Sequence, residues 1–344
     1  MNGHGTLQRR RRHVALAGVT LALALLLAAA TTGEPGSAQA PLVLKIATRA
    51  PFGSPEALHV EAFAHHIARS GSGLVEVRRF YDGALGEPAA LLERVAEGTL
   101  QAVSVDLSDL ARRSPAAEVL TAPGVFRDRR AALRALQRGL PDALGAMLER
   151  EGLVLGGFGR VDMEVWFSRA RFEKPAAARG WRMAQPASEA ERGLSEALGA
   201  QLLEVGLAQA PPMDDASGIE LLSATPIAAV AAGLDRGASH VQLSDHALSA
   251  SVFIYSKRWF EGLPEQLRKQ LSPLPASIFE DARAAEMAMR DEILAALRAR
   301  GVSVHAPGRA ERRRFDRLYR SQSLARARAT RPDGSRLLRA ARGR

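Results

Sequence analysis

The feature that most constrains the fold is a regular alternation of short apolar segments with amphipathic ones early in the chain. "PLVLKIAT" at 41–48 predicts a buried strand. "SPEALHVEAFAHHIARSG" at 54–71 predicts a helix, because Ser54 suits the N-cap, Pro55 the first helical position and Gly71 the end. A second strand, a second helix and a third strand are predicted at 74–81, 87–99 and 100–107. This β-α-β-α-β order predicts a parallel sheet covered by helices, and ligands of such sheets bind beyond the carboxyl ends of the strands.

The same alternation returns later in the chain. Strands are predicted at 164–169, 181–185, 219–224, 248–256 and 302–305, and helices at 188–199 and 226–233. A long amphipathic helix is predicted over 277–301, closed by Gly301. Two α/β halves and one long helix together predict an α/β fold built as a two-lobed clamp.

The N-terminus has the pattern of an export signal. Arg9–Arg12 precede an uncharged apolar run, Val14–Ala30, and small residues follow in "SAQA" at Ser37–Ala40. A basic start, an apolar run and a small-residue exit indicate a cleaved secretory signal over 1–40. A retained membrane anchor is the alternative, because the apolar run is at the short limit for a membrane span. In either case we expect the body of the protein in the periplasm.

The positive charge is confined to the two ends of the chain. The formal net charge is +10, of which residues 1–40 carry +3 and residues 306–344 carry +10, so that 41–305 carry −3. A folded nucleic-acid-binding domain would show a basic face within the body. We therefore expect no nucleic-acid partner.

Several kinds of chemistry are disfavoured by the residue types and their spacing. The sequence has no cysteine, which excludes disulfides, thiolate metal sites and cysteine nucleophiles. His59, His65 and His66 share one predicted helix but lack the four-residue spacing of a helical zinc pair. No G-x-S-x-G nucleophile motif is present. We predict neither a metal, a cofactor nor an enzymatic activity.

The end of the chain differs in composition from the body. "RAERRRFDRLYR" from Arg309 can continue as a basic helix on the surface. Residues 321–344 have little apolar content and much like charge, which predicts disorder.

Six segments, in order through most of residues 42–318, carry a family resemblance. They are "LKIATRAPFGSPE", "RRFYDGALGEPAALLERVAEGTLQAV", "EVLTAPGVFRD", "GWRMAQP", "VFIYSKRWFEGLPEQLRKQL" and "LRARGVSVHAP". The set resembles the solute-binding proteins of tripartite ATP-independent periplasmic (TRAP) transporters, of the dicarboxylate-binding type. The resemblance implies a periplasmic fold of two α/β lobes, with mixed, mostly parallel sheets and a long bridging helix. It also implies that a small organic solute is held between the lobes and passed to the membrane subunits of a TRAP permease.

Lobe boundaries follow from the same resemblance. The first lobe is expected over 41–163 plus 246–275. The second is expected over 164–245 plus 276–320 and includes the long helix.

The resemblance also places a candidate pocket, and at one position it finds a departure. Where the family's "GLKMR" segment has an arginine that grips a substrate carboxylate, this chain has Ala184. A second basic position of the family falls near Glu164, which would repel a carboxylate. The predicted solute-binding residues are Arg49, Phe52, Asp106, Glu164, Gln185 and Thr225.

Each of these residues also has a structural interpretation that the sequence leaves open. Arg49 also fits a solvated loop arginine, Asp106 an N-cap and Thr225 a cap before Pro226. Phe52 and Trp181 are of types that pack in cores. The ligand is therefore open at this stage. A monocarboxylate is possible if Arg49, Arg160 or Arg182 reaches the cleft, and so is a zwitterionic, cationic or neutral polar solute.

A second function is also compatible with the sequence. The chain could be an envelope interaction protein that kept the fold but lost transport, with the basic C-terminal segment contacting anionic lipid headgroups or a partner.

Overall fold

A computed structural model of the protein describes residues 42–70, 74–185, 189–205, 210–214, 216–330 and 332–343, and for Gln185 and Ala327 it describes only the backbone. The predicted export signal lies outside the described residues, as do Gly71 and the first residue of the helix predicted from 188. Residues Val43–Arg344 form one compact unit. The predicted lobe boundaries therefore stay a prediction.

Nine strands and twelve α-helices are present in the described part of the chain. The strands are β1 (Leu42–Thr48), β2 (Val75–Phe80), β3 (Ala102–Asp106), β4 (Leu153–Ser168), β5 (Arg182–Gln185), β6 (Gln201–Glu204), β7 (Leu221–Ala224), β8 (His240–Ser256) and β9 (Ser303–His305). The helices are α1 (Pro55–Ser70), α2 (Pro88–Glu97), α3 (Leu107–Arg113), α4 (Arg129–Leu136), α5 (Gly139–Glu149), α6 (Glu189–Leu198), α7 (Pro226–Ala231), α8 (Lys257–Glu261), α9 (Glu265–Leu271), α10 (Glu280–Ala299), α11 (Arg309–Ala329) and α12 (Asp333–Ala341). Short 3-10 helices lie at Pro115–Leu120, Pro175–Ala178 and Ala276–Phe279.

The strands form one mixed sheet in the order β2-β1-β3-β8-β4-β7-β5-β6, with β9 beside β8. The two longest strands, β4 and β8, pair antiparallel from Leu153 opposite Ser256 to Ser168 opposite His240. On one side of this pair, β8 pairs with β3, and β3 pairs in parallel with β1. On the other side, β4 pairs with β7, which is followed by the parallel strands β5 and β6. The predicted α/β fold with two halves joined by crossing strands is confirmed, and helices cover both halves.

The two halves have separate apolar cores. Around β1 and β3, Phe63 of α1 stacks on Phe253 of β8 with ring centroids 4.8 Å apart, in a cluster that includes Tyr255. Around β7, Val165 and Leu222 pack with residues of α10. Burial of these side chains provides the main favourable free energy of each half.

Sequence reasoning found only the last part of β4, because "LGGFG" at 155–159 is too glycine-rich for a predicted strand. Close packing explains these glycines. A Cβ at Gly156 would lie 2.8 Å from the Tyr255 ring, and a Cβ at Gly159 would lie 2.8 Å from the Phe253 ring. Aromatic rings of β8 therefore occupy the space that side chains on β4 would need.

The predicted long helix is α10, which binds the crossing strands through its arginines. Arg283 donates from Nη2 to the Phe158 carbonyl at 2.6 Å and from Nε to the Gly159 carbonyl at 2.9 Å. Arg290 pairs with the buried Asp162 at 3.4 Å. The long helix thus lies along the middle of the β4 and β8 pair, as a bridging helix should.

The predicted disorder of residues 321–344 is wrong for the residues that the structure describes there. Helix α11 runs to Ala329, and α12 follows from Asp333. Leu337, Leu338 and Ala341 are buried in a core that α12 shares with the first half of the sheet. These three positions form a single apolar stripe on one helical face, which an average over an arginine-rich segment conceals. None of the described helices is both long and apolar enough to cross a membrane.

Candidate functional site

Arg160 lies at an irregular point of β4 and has a partner for each guanidinium nitrogen. The pairing of β4 with β8 shifts register between Phe158 and Val161, and such a bulge re-aims the side chain it contains. Nε donates to Glu56 of α1 at 3.0 Å and Nη1 donates to Ser249 of β8 at 2.9 Å. Nη2 donates to Asp106 at the end of β3. These four residues, Arg160, Glu56, Asp106 and Ser249, are called the Arg160 cluster below.

The Arg160 cluster is largely withdrawn from water. Side-chain exposure is 14% for Arg160 and 18% for Glu56. Burial lowers the pKa of Arg160, but the carboxylates of Asp106 and Glu56 outweigh it and raise that pKa above its usual range. Burial raises the pKa of Glu56, and Arg160 opposes the rise. The arginine is thus permanently charged and is matched by two acidic groups.

Asp106 is the member of the Arg160 cluster that solvent can reach. Its side chain is 39% exposed, and its second carboxylate oxygen has no hydrogen-bond partner among the described residues. The predicted capping role is absent, since Asp106 precedes α3 without a side-chain hydrogen bond to that helix. Burial raises the pKa of the neighbouring Asp109 to about 6, helped by the charge of Asp106. Asp106 therefore presents a free acceptor oxygen to solvent.

Glu164 is half-buried farther along β4 and belongs to a second hydrogen-bonded chain. The Ser223 hydroxyl of β7 donates to Glu164 and also lies 2.8 Å from Nε2 of His246. Nδ1 of His246 lies 2.7 Å from the Ser244 hydroxyl, and the imidazole stacks on Trp166 with ring centroids 4.2 Å apart. Burial raises the pKa of Glu164 and lowers that of His246 to about 3. Glu164 is thus held by protein partners, and its role toward a ligand stays a prediction.

Ala184, at the position of the family's arginine, is 2% exposed and packs in the apolar cluster with Val165 and Leu222. Arg182 on the same strand donates to the Ser217 carbonyl at 2.8 Å and is exposed. Neither residue supplies a cationic group to the Arg160 cluster.

The other predicted site residues fall in different surroundings. Thr225 caps α7 by accepting from the Ala228 amide at 3.3 Å. Arg49 is exposed at the end of β1, and its charge opposes the rise of the Asp109 pKa. Phe52 is 73% exposed and meets Tyr81 edge-to-face at 5.4 Å. Gln185 ends β5, and its side chain lies outside the described residues.

The structure places Asp106 in contact with Arg160, and the charge of Arg49 acts on the pKa of Asp109. Thr225 and Glu164 belong to the β7 half of the sheet. Sequence reasoning missed Glu56 as a site residue because it looks like an ordinary acidic residue in a first helical turn. It also missed His246, which no local motif distinguishes.

A comparison with protein families matches residues 46–323 to the family described as "Bacterial extracellular solute-binding protein, family 7". A curated relative, the 2,3-diketo-L-gulonate-binding periplasmic protein YiaO of Escherichia coli (strain K12), is 26% identical over 201 residues. That alignment covers 58% of this chain and 61% of the relative, so it spans less than two thirds of that protein.

Solved structures show the same fold. A TRAP periplasmic solute-binding protein from Ochrobactrum anthropi superposes with a TM-score of 0.80 at 15% identity, covering 88% of this chain and 95% of its own. One from Citrobacter koseri with bound D-glucuronate gives 0.71 at 22% identity, covering 87% and 98%. One from Desulfovibrio desulfuricans with bound sn-glycerol-3-phosphate gives 0.74 at 20% identity, covering 88% and 96%. With the family match spanning most of the chain, the protein belongs to the bacterial extracellular solute-binding proteins of family 7.

Proposed function

We propose that this protein is the extracytoplasmic solute-binding component of a TRAP-type uptake system. It captures a small organic solute between two lobes in the periplasm and delivers it, chemically unchanged, to the membrane subunits of a permease. The family match and the shared fold support this proposal. Closure of the lobes around the solute would require contacts to both at once, so that the bound solute stabilises the closed state.

The lobes we propose are those of the sequence prediction, 41–163 plus 246–275 and 164–245 plus 276–320. The crossing strands β4 and β8 and the long α10 would form the hinge. The candidate solute-binding residues remain Arg49, Phe52, Asp106, Glu164, Gln185 and Thr225, with Asp106 foremost.

The ligand class follows from the pairing of Arg160 with acceptors of its own protein. All three nitrogens of its guanidinium group already donate to protein oxygens, two of which belong to carboxylates. A dicarboxylate that replaced Asp106 or Glu56 on Arg160 would leave a buried anion unpaired, which costs several kcal/mol. A solute that brings its own donors needs no such exchange, because Asp106 offers a free acceptor oxygen.

We infer that the solute carries an ammonium group or several hydroxyl donors directed at Asp106. Its preference would differ from that of the relatives crystallised with D-glucuronate and sn-glycerol-3-phosphate, whose names denote anions. The observation that carries this inference is the arginine held by two carboxylates and a hydroxyl of its own protein.

A thermal-shift screen of the exported protein tests the proposal. The compounds would be amino acids, amines, polyols, monocarboxylates and dicarboxylates at matched ionic strength. A solute at 100 times its Kd adds about 2.7 kcal/mol to the free energy of unfolding, which raises Tm by several degrees. We expect hits among amino acids, amines or polyols. A folded protein that responds only to dicarboxylates would contradict the inferred ligand class, and one that responds to nothing would contradict the binding function.

The alternative of an envelope interaction protein gains no support from the structure. That alternative relied on a free basic segment at the C-terminus. In the structure this segment is packed on the body: Leu337 and Leu338 are buried in the core, and Arg326 pairs with Glu118 at 3.3 Å.

A further inference from the structure

Helices α11 and α12, called the C-terminal strap below, contact both of the proposed lobes. The first part of α11 packs on the second lobe. Phe315 and Tyr319 are buried in an apolar cluster with Trp166 and Phe172, whose other members lie on β5, β7 and α6. The Trp166 indole donates to the Tyr319 hydroxyl at 2.9 Å. Apolar packing and a buried hydrogen bond therefore fix this end of the strap to the second lobe.

The other end of the strap packs on the first lobe. Leu337, Leu338 and Ala341 of α12 are buried against α5 and the 3-10 helix that follows α3. Arg150, at the end of α5, donates to Asp333 at the start of α12 at 2.6 Å. The family match ends before α12 begins. This contact is therefore an addition to the part of the chain that the family model describes.

Glu118 joins the two lobes and the strap at one point. It lies in the 3-10 helix of the first lobe, and its side chain is only 10% exposed. Its carboxylate accepts from the backbone amide of Ala190 in the first turn of α6, in the second lobe, at 2.8 Å. It also pairs with Arg326 of α11 at 3.3 Å. A negative group is favourable at the start of a helix, so both contacts stabilise this arrangement.

The lobes cannot separate on this side while both ends of the strap stay in place. Only three residues, 330–332, separate α11 from α12, and such a link spans at most about 14 Å when fully extended. Wider opening must remove α12 from the first lobe, which exposes Leu337 and Leu338 to water. Separating Arg326 from Glu118 would in addition leave a largely buried carboxylate without its cation.

We propose that the C-terminal strap limits the opening of the lobes and keeps the solute-free protein close to its closed state. This inference rests on the proposed function, from which it takes the two lobes and their hinge. A larger closed population raises the apparent affinity for a solute, because the closed state is the one that contacts the solute from both lobes.

A distance measurement between the lobes tests the proposal in the whole exported protein without any solute. The sequence has no cysteine, so two spin labels can be attached at chosen positions. Ser108→Cys on α3 and Ala232→Cys directly after α7 place the labels at exposed positions in the first and second lobes. Pulsed double electron–electron resonance then gives the distribution of distances between the two labels.

Three variants of the labelled protein are compared. Leu337→Gln with Leu338→Gln is the release variant, which removes the apolar contact of α12. Arg336→Gln with Arg339→Gln is the matched control on the exposed face of the same helix. Arg326→Gln breaks the ion pair with Glu118 and leaves the apolar contact of α12 unchanged. Circular dichroism verifies that each variant folds, and Arg326→Gln decides the outcome if the release variant does not.

We expect one dominant short distance in the wild type and in the control. In the release variant the ratio of long to short distances should rise about tenfold or more, and Arg326→Gln should shift it in the same direction by less. The proposal is overturned if the wild type already has mainly long distances, if neither the release variant nor Arg326→Gln differs from the wild type, or if the control changes as much as they do.

The thermal-shift screen separates this outcome from that of the proposed function. Solute hits together with unchanged distances would overturn the strap and leave the binding function in place. Longer distances in the release variant without any solute hit would support the strap and contradict solute binding.

Discussion

The Arg160 cluster and helix α11 use the same side chain in opposite ways. In the Arg160 cluster one buried arginine is enclosed by two carboxylates, and the acceptor oxygen left over belongs to Asp106. On helix α11, Arg309, Arg312, Arg313 and Arg320 make no ion pair with a described residue, and they outnumber the neighbouring carboxylates of Asp245 and Asp316. The comparison teaches that the charge a site offers to a ligand depends on which groups the protein has already paired. The mere presence of an arginine does not determine it.

The largest expected effect is on the buried arginine. Arg160→Gln leaves Glu56 and Asp106 without their cation in a largely buried setting. Breaking a buried pair in this way lowers the free energy of unfolding by about 3–5 kcal/mol, and we expect the lower part of that range because Asp106 is partly exposed. Urea unfolding measures this, with Arg317→Gln as the exposed control. A loss similar to that of the control would mean that Arg160 is not a structural ion-pair partner.

Restoring the family's arginine should harm the protein. Ala184→Arg would force a long cation into the apolar cluster around Val165 and Leu222. We expect the free energy of unfolding to fall by about 3 kcal/mol. Ala310→Arg, on the exposed face of α11, is the matched control and should change little. If Ala184→Arg folds with wild-type stability and binds a dicarboxylate, then Ala184 faces the cleft and our placement of it is wrong.

The pH dependence of stability should include a contribution from Glu286 of α10, whose pKa is influenced by the charge of Arg160. Burial raises its pKa to about 7 from 4.5, with Arg160 opposing and Asp162 adding to the rise. A carboxyl with a raised folded pKa contributes stability that is full below pH 4.5 and is lost as pH rises through 7. Relative to Glu286→Gln, the wild type should therefore lose up to about 3 kcal/mol between these pH values.

Unfolding titrations at several pH values measure this difference. Glu97→Gln, at an exposed position, should keep the wild-type slope. The buried His59, whose pKa is lowered to about 4, acts in the opposite direction but equally in all three proteins. Identical slopes for the wild type and Glu286→Gln would contradict the assignment.

The smallest effect is expected on helix α11. Replacing Arg312 and Arg313 by glutamine removes two charges without leaving a buried carboxylate unpaired. We expect the free energy of unfolding to change by about 1 kcal/mol or less, in contrast to Arg160→Gln. A loss as large as that of Arg160→Gln would show that these arginines stabilise the folded structure.

Much of the fold could be predicted because it rests on local patterns. The early strand and helix alternation gave β1 to β3 with α1 and α2, and the amphipathic period gave α10. The first part of β4 could not be predicted, because Gly156 and Gly159 are required by rings of a strand far along the chain. Folding of the C-terminal segment was missed because its apolar stripe is short and its composition is dominated by arginine.

The candidate site was predictable only in part. Asp106 followed from its place at a strand end, where ligands of α/β sheets bind. Its partner Arg160 is 54 residues away in sequence, and Glu56 is 104 residues from that arginine. No periodicity or motif links residues at such separations. The neutralisation of the arginine, on which the inferred ligand class rests, could therefore be found only in the folded structure.

The central claim is that Asp106 receives the solute while Arg160 is kept from it. The most direct measurement compares the affinities of the best donor-bearing solute and of a matched monocarboxylate, by calorimetry, in wild type, Asp106→Asn and Asp142→Asn. Asp142 lies exposed on α5 and serves as the control. We predict that Asp106→Asn weakens the donor-bearing solute about tenfold or more and strengthens the monocarboxylate, because Arg160 loses one of its anions, while the control leaves both unchanged. Unchanged affinities in Asp106→Asn, or a monocarboxylate that binds tightly to wild type and weakly to the variant, would contradict the account.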